Sequence, residues 1–211
     1  MRIWIKRFVA IIAIAALVLI GFWRYWIWKN QRDAERFVTS VKTLVIGKST
    51  AADLSTLIKS IPIGTNHYFD CSPSGNGECE AIVNLSNFSR FSWPYRLHLA
   101  VAMGLRCTFY TENDKLRSLL CVMQSSKAMD TNTYVQEGEG PARCFSELNS
   151  ENKFFETQGF PTGFCGVCIN ERTPSDLRDL AFKFDFGCFS RLHGCSTFEE
   201  MLPVLSRKDL Y

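Results

Sequence analysis

Signatures of several enzyme classes are missing from this chain of 211 residues. It has only three histidines, and His67, His98 and His193 lie in neither an H-E-x-x-H nor a G-x-S-x-G context. It also has no glycine-rich phosphate loop, no visible internal repeat and no low-complexity tract. Zinc-protease, serine-hydrolase and phosphate-loop chemistry are therefore not indicated, and we predict no cofactor.

Outside its first 30 residues, the chain also has no excess of basic over acidic residues. The whole chain has a formal net charge of +3, from 24 Lys and Arg against 21 Asp and Glu. Residues 1–30 contain five of these basic residues and no acidic one, so the remainder carries a net charge of −2. Nucleic-acid binding needs a basic surface. We therefore predict no nucleic-acid partner.

A cleavage site for signal peptidase is missing after the longest apolar run. Basic residues precede the uninterrupted apolar residues 8–23, and Trp26, Ile27 and Trp28 extend the apolar character. A cleavable signal would need small residues after this run, but residues 22–26 are bulky. About 20 apolar residues are enough to cross a hydrocarbon core of roughly 30 Å. The segment 1–29 is thus predicted to be an uncleaved signal anchor, which contacts the lipid bilayer through residues 8–28.

The nine cysteines decide the predicted orientation. Basic residues flank the apolar run on both sides, so the charge rule alone does not orient it. Disulfides persist in oxidising compartments, and several of the cysteines are spaced as local pairs. We therefore expect a single-pass membrane protein whose C-terminal domain is extracytoplasmic, in the periplasm or in a luminal or extracellular space. In a eukaryotic lumen the sequons at Asn84 and Asn87 would be glycosylation sites.

The rest of the chain is predicted to fold as an α+β domain. Residues 30–64 show apolar residues at helical spacing, which indicates an amphipathic stalk followed by a helix-turn-helix. Gly47 is expected to end the stalk helix, and Thr50 with Asp53 is expected to begin the next helix as a capping box.

Two further regions follow the helix-turn-helix. Residues 65–140 alternate between apolar and polar side chains, which is typical of an antiparallel β region. Residues 141–211 form a Cys- and Phe-rich C-terminal region, predicted to contain short helices that start near Pro174 and at Thr197. Glycines near residue 140 mark the joint between the two regions.

One hairpin can be registered from the sequence alone. The segments 105–111 and 116–123 alternate around Glu-Asn-Asp-Lys, which is a hairpin signature. A three-residue loop at 113–115 would place Cys107 opposite Cys121 and Phe109 opposite Leu119. One face of the hairpin would then be apolar and carry both cysteines.

Local spacing predicts most of the disulfides. Each bridge could stabilise the domain by about 2–4 kcal/mol because it restricts the unfolded chain. The predicted pairs are Cys71–Cys79, Cys107–Cys121, Cys188–Cys195, and Cys144 with either Cys165 or Cys168. Since nine is odd, at least one thiol stays free or pairs between chains.

The Cys165-Gly-Val-Cys168 segment allows two other interpretations. As a dithiol, Cys165 and Cys168 could exchange disulfides with a substrate, although a long helix cannot start at Cys168 without breaking at Pro174. As a metal site, the same pair could join Cys188 and Cys195, with His193 as a substitute ligand, to bind zinc. The zinc interpretation requires the C-terminal part to face the reducing cytosol.

A short segment resembles a known family. Gly47-Lys-Ser-Thr50-Ala-Ala-Asp53-Leu54 is similar to the G-x-S/T-x-x-D/Q-V/L helix pair of SmpA/BamE-like small outer-membrane lipoproteins. The resemblance, over residues 47–64, implies two helices before a small antiparallel sheet and a binding or assembly role. This chain departs from the family by having no lipobox cysteine, an uncleaved anchor and an additional region 142–211.

These patterns together predict a membrane-anchored extracytoplasmic binding or assembly module that is stapled by disulfides. We expect it to act on a protein partner and not as an enzyme. A membrane-tethered thiol-disulfide oxidoreductase that uses Cys165 and Cys168 is the alternative, and a cytosol-facing zinc domain is the third interpretation.

Overall fold

The computed structural model describes residues 2–60, 66–71, 79–86, 101–126, 131–138, 155–160, 164–170, 173–191 and 193–207. Helices α1 (Arg2–Val41) and α2 (Ala51–Lys59) come first. Seven strands follow: β1 (Asn66–Cys71), β2 (Cys79–Ser86), β3 (Met103–Glu112), β4 (Lys115–Ser125), β5 (Thr131–Gly138), β6 (Phe155–Phe160) and β7 (Phe164–Ile169). Short helices α3 (Ser175–Ala181), α4 (Gly187–Ser190) and α5 (Phe198–Met201) and a 3₁₀ turn (Pro203–Ser206) end the described chain. The predicted α+β class is confirmed.

Helix α1 has two parts, one exposed and one packed in the domain core. It is 40 residues long, or about 60 Å at 1.5 Å per residue. The N-terminal part is apolar and exposed, and the helix is long and apolar enough to cross a membrane. From Ala34 onward it instead contributes buried side chains to the domain core: Ala34, Phe37, Val38 and Val41. A single uninterrupted helix therefore joins the anchor to the core.

The stalk helix ends at Val41, so the expectation that Gly47 ends it is wrong. The next carbonyl oxygens, of Lys42 and Leu44, accept hydrogen bonds from the side chain of Arg178, a residue more than 130 positions away in the chain. Gly47 instead forms a turn with φ +75°, and its amide donates to the Leu116 carbonyl at 2.8 Å. An arginine that is distant in the sequence thus donates hydrogen bonds to the carbonyl oxygens that follow the last helical turn.

Helix α2 begins as the sequence predicts. The Thr50 hydroxyl accepts from the Asp53 amide, and the Asp53 carboxylate accepts from the Thr50 amide, which completes the capping box. The amide and the hydroxyl of Thr50 both donate to the Asp53 carboxylate, and these two hydrogen bonds lower the pKa of Asp53. The buried face of α2 consists of Leu54, Leu57 and Ile58.

All seven strands belong to one sheet, in the order β1-β2-β3-β4-β5-β7-β6. The first five form the predicted antiparallel meander. Strand β7 pairs parallel to β5, and β6 pairs antiparallel to β7 at the edge. The sequence patterns missed β6 and β7. Through them the sheet continues across the joint predicted near residue 140.

The β3–β4 register is confirmed, but the loop that produces it is not the predicted one. Cys107 lies opposite Cys121, as expected. The turn has two residues, Asn113 and Asp114, both with positive φ, as in a type I′ hairpin. Arg117 is then an extra residue in a β-bulge between the pairs Thr111–Leu116 and Tyr110–Ser118. The shorter loop and the bulge offset each other, so the register is unchanged.

The domain has two layers. One face of the sheet packs against the C-terminal half of α1, against α2 and against the short C-terminal helices in one hydrophobic cluster. Phe37 of α1 contacts Phe109 of β3 edge-to-face, with ring centroids 6.3 Å apart. Phe182, Phe184 and Phe186, which follow α3, are buried in the same cluster. The layer of helices thus combines the C-terminal half of α1 with elements from the C-terminal region of the chain.

Candidate functional site

Along α1, the first contact with the rest of the domain lies at the aromatic end of the apolar run. Ile27 is 4% exposed and packs with Trp23 and Ala102 in a small cluster of its own. Neighbouring residues of α1 remain exposed, including Tyr25 and Trp28. The contact of the domain with α1 therefore begins within the part of the helix that is suited to a membrane.

Arg178 is the centre of a buried polar cluster where α1 ends. Its guanidinium donates to both carboxylate oxygens of Glu137 on β5, at 2.8–2.9 Å. It also donates to the carbonyl oxygens of Lys42 and Leu44 and lies over the Phe182 ring at 5.4 Å. The side chain of Glu137 is only 4% exposed. Arg178 therefore ties α3, β5 and the end of α1 together.

The Cys165-Gly-Val-Cys168 segment lies inside strand β7. Residues three apart on a strand point to opposite faces. Cys165 is a half-buried free thiol, whereas Cys168 is fully buried and disulfide-bonded. The two cysteines are therefore not a dithiol pair here, and the strand-to-helix junction typical of a redox motif is not present.

Close packing against β5 explains why glycine lies between the two cysteines of this segment. Gly166 lies opposite Tyr134 on β5. A Cβ atom at this position would stand 2.4 Å from the Tyr134 carbonyl oxygen and 2.5 Å from its ring. Only glycine lets the two strands and the tyrosine ring approach this closely.

Cys165 has polar neighbours on the core face. Thr133 lies directly opposite it on β5 and is completely buried. Burial raises the pKa of the Cys165 thiol, and the carboxylate of Glu199 raises it further, while a hydrogen bond from the Gly166 amide opposes both. A raised pKa keeps the thiol protonated, which disfavours nucleophilic attack.

The Cys188–Cys195 disulfide lies under the short C-terminal helices. Both cysteines are fully buried, and Arg191 donates to the Cys195 sulfur at 3.2 Å and to the Asp185 carboxylate at 2.9 Å. Asp185 and the two sulfurs lie within 4.8 Å of one another. However, the sulfurs are bonded to each other, and a guanidinium cation already bridges the group.

The four cysteines of the zinc hypothesis are not brought together as free thiolates. Cys188 and Cys195 are bonded to each other, Cys168 is in another disulfide, and Cys165 is the one free thiol among the cysteines whose side chains the structure describes. Zinc binding needs deprotonated sulfur ligands. In this oxidised form the donor set is not available.

Of the remaining predicted disulfides, one is described by the structure, and two stay predictions. Cys107 and Cys121 form a disulfide across the hairpin. Cys71 and Cys79 lie opposite each other in the β1–β2 register. Cys144 lies outside the described residues; of its two predicted partners, Cys165 is free and Cys168 is disulfide-bonded, so the pairing of Cys144 stays a prediction.

The outer face of β2, β3 and β4 is less completely covered than the core face. Ile82, Thr108, Leu120 and Val122 are partly exposed on it. Arg106 is exposed there, and Tyr110 is 40% exposed. Sequence patterns could have found this face, since these positions alternate with the buried ones. A mixture of aliphatic residues, Tyr and Arg is typical of protein interfaces.

Comparisons of the chain with protein-family models, with curated proteins and with solved structures find no match. What the fold defines is a two-layer α+β domain with two described disulfides and an N-terminal helix of membrane-spanning length.

Proposed function

We propose that this protein is a single-pass membrane protein whose extracytoplasmic domain binds a protein partner on the outer face of β2–β4. The observation that carries the proposal is the continuity of α1, which enters the domain core without a linker. Such a helix holds the sheet at one height and one orientation above the bilayer. A module that positions a partner needs this geometry, whereas a flexible tether would lose it.

The disulfides support the extracytoplasmic side, and the state of the free thiol supports a binding role. The Cys107–Cys121 and Cys188–Cys195 bonds are formed within the domain, and such bonds persist in oxidising compartments. The raised pKa of the free Cys165 thiol favours a binding role over an exchange catalyst. The resemblance of residues 47–64 to SmpA/BamE-like modules stays a prediction and points to the same class of role.

The topology is tested by counting thiols in the native membrane with a membrane-impermeant maleimide, before and after reduction. We expect one reactive thiol before reduction and eight more only after it, without opening the membrane. Many thiols that react without reduction, and only after the membrane is opened, would overturn the extracytoplasmic proposal.

The binding face is tested by placing a photo-crosslinking amino acid at Tyr110 in cells. We expect a discrete crosslinked species from this position. The matched control is the same amino acid at Lys59, an exposed residue of α2 on the opposite side of the domain. Equal crosslinking at both positions, or none at Tyr110, would contradict the proposed face.

A further inference from the structure

Contacts with α1 give the sheet a direction relative to the anchor. Ala102, just before β3, packs on Trp23 and Ile27 at the aromatic end of the apolar run. Farther along α1, Phe37 contacts Phe109, and beyond the helix Gly47 bonds to Leu116. Strand β3 therefore begins beside the apolar run and extends away from it.

The strand register places the end of β2 and the end of β4 at the same level as the start of β3. Ser86 at the end of β2 lies opposite Gly104, and Met103 lies opposite Ser125 at the end of β4. Ala102 is fixed to β4 by two hydrogen bonds with Ser126, at 2.8 and 2.9 Å. We call these terminal residues of β2, β3 and β4, with Ala102 and Ser126, the Ala102 end of the sheet.

The two ends of the sheet differ sharply in charge. At the Ala102 end the described residues 85–86, 101–105 and 123–126 contain no Asp, Glu, Lys or Arg, and residues 131–133 and 164–166 on β5 and β7 contain none either. The opposite ends of these strands carry many charged residues: Glu80, Glu112, Asp114, Lys115, Arg117 and Glu137. The helical layer does carry charge at this level: Glu199 lies close enough to raise the pKa of Cys165, and the Glu200 carboxylate accepts from the amide of Ser196, next to Cys195, whose carbonyl oxygen accepts from Ser125. The contrast in charge is therefore between the two ends of the strands.

Absence of charge matters at this level of the anchor. Trp23 and Ile27 precede Trp28, the last aromatic residue of the apolar run, so Ala102 lies at the depth where Trp and Tyr mark a membrane interface. Charged side chains are tolerated in the hydrated headgroup region but lose their hydration below it, so strand ends without charge can reach the boundary between headgroups and hydrocarbon at little cost.

We propose that the Ala102 end of the sheet is seated in the headgroup region of the same bilayer that α1 crosses. The domain then has a second membrane contact beside its helix, and the bilayer surface holds the sheet upright. This inference rests on the proposed membrane anchoring. The observations that carry it are the Trp23–Ile27–Ala102 contact and the uncharged strand ends.

Depth-dependent fluorescence quenching tests the inference on the full-length protein in phosphatidylcholine nanodiscs. A Cys165→Ser background, checked to give no labelling, removes the free thiol. Ser86→Cys then places an environment-sensitive fluorophore at the Ala102 end, on an exposed residue. The matched control is Lys115→Cys at the hairpin turn, also exposed, which is about 33 Å from Ala102 along the ten residues of β3 at 3.3 Å per residue.

With a nitroxide on the lipid headgroup, we expect the Ser86 label to lose most of its fluorescence and the Lys115 label to keep its own. Equal and weak quenching at both positions in incorporated protein would overturn the seated Ala102 end while leaving the anchor intact. Failure of the anchoring itself would be recognised separately, because the protein would not co-elute with the nanodiscs.

Discussion

Gly166 and Cys165 are adjacent residues with different constraints. Gly166 is required by the close approach of Tyr134, whereas Cys165 keeps a free, half-buried thiol. The sequence motif that suggested redox chemistry is thus divided, in the folded chain, into a packing position and an isolated thiol. Each half can be tested by one substitution.

Gly166→Ala is expected to destabilise the domain by about 1–3 kcal/mol, because the added methyl group overlaps backbone and ring atoms of Tyr134. Gly104→Ala in β3 is the matched control, since its Cβ would meet only the Leu85 carbonyl oxygen at an ordinary 3.5 Å. Urea unfolding followed by circular dichroism measures both. Equal stability of the two variants would show that the close approach at Gly166 is not restrictive.

The Cys165 thiol is expected to alkylate slowly near neutral pH and faster as pH rises, because its raised pKa keeps the thiolate fraction low until the pH is alkaline. Glu199→Gln removes one cause of the raised pKa and should accelerate alkylation at pH 8, measured by mass spectrometry of the Cys165 peptide. Glu112→Gln, which removes a carboxylate at the hairpin turn, should leave the rate unchanged. A rate insensitive to Glu199→Gln would contradict the proximity of this carboxylate.

Among the elements, α3, β5 and the segment that directly follows α1 share one polar contact. The Arg178 guanidinium donates hydrogen bonds to the Glu137 carboxylate and to the carbonyl oxygens of Lys42 and Leu44. Lys42 adds a weaker link to Asp179, with 3.5 Å between its amine and the carboxylate. The segment that follows α1 is therefore linked to β5 and α3 by a mostly buried cation.

Arg178→Met is expected to cost about 3–5 kcal/mol, because it leaves the buried Glu137 carboxylate without its partner. Replacing both residues, as Arg178→Met with Glu137→Leu, should cost less than the single change, since no unpaired charge remains. Chemical denaturation measures all variants. Arg117→Met is the control, because the Arg117–Glu112 pair is largely exposed and should be worth under about 1 kcal/mol. An additive double variant would show that the two side chains are not coupled.

At the scale of the whole molecule, the stalk half of α1 belongs to the core and not to a linker. Its side chains at 34, 37, 38 and 41 are at most 4% exposed and pack in the same cluster as residues from the far end of the chain, such as Val204. The apolar run and the domain are thus joined by one continuous helix, and the position of the domain relative to the apolar run follows from that helix.

Two truncations separate the anchor from the core. A chain beginning at Gln31 loses the apolar run but keeps the buried residues of the stalk, so we expect a soluble domain with a cooperative thermal transition. A chain beginning at Lys42 loses those residues as well, and we expect no cooperative transition because the core is left open. Calorimetry compares the two. If the shorter chain unfolds like the longer one, the stalk is not part of the folding unit.

Several features were predictable from the sequence because their causes are local. The apolar run, the capping box at Thr50 and the alternation of β3 and β4 each depend on residues within one or two turns or strands of each other. The pairing of Cys107 with Cys121 followed from that alternation, even though the loop length was wrong, since the bulge at Arg117 restored the register.

What the sequence by itself determined is therefore the membrane-suited helix, the α+β order and the local hairpin with its disulfide. Only the tertiary structure decided where α1 ends, which strands complete the sheet and what Cys165 and Cys168 face. The physical reason is distance along the chain. Arg178 donates to carbonyl oxygens of residues more than 130 positions away. Strand β7 pairs parallel to β5, and a parallel pairing has no local turn signal in the sequence. Such contacts depend on the whole fold being formed, and no local pattern of residues encodes them.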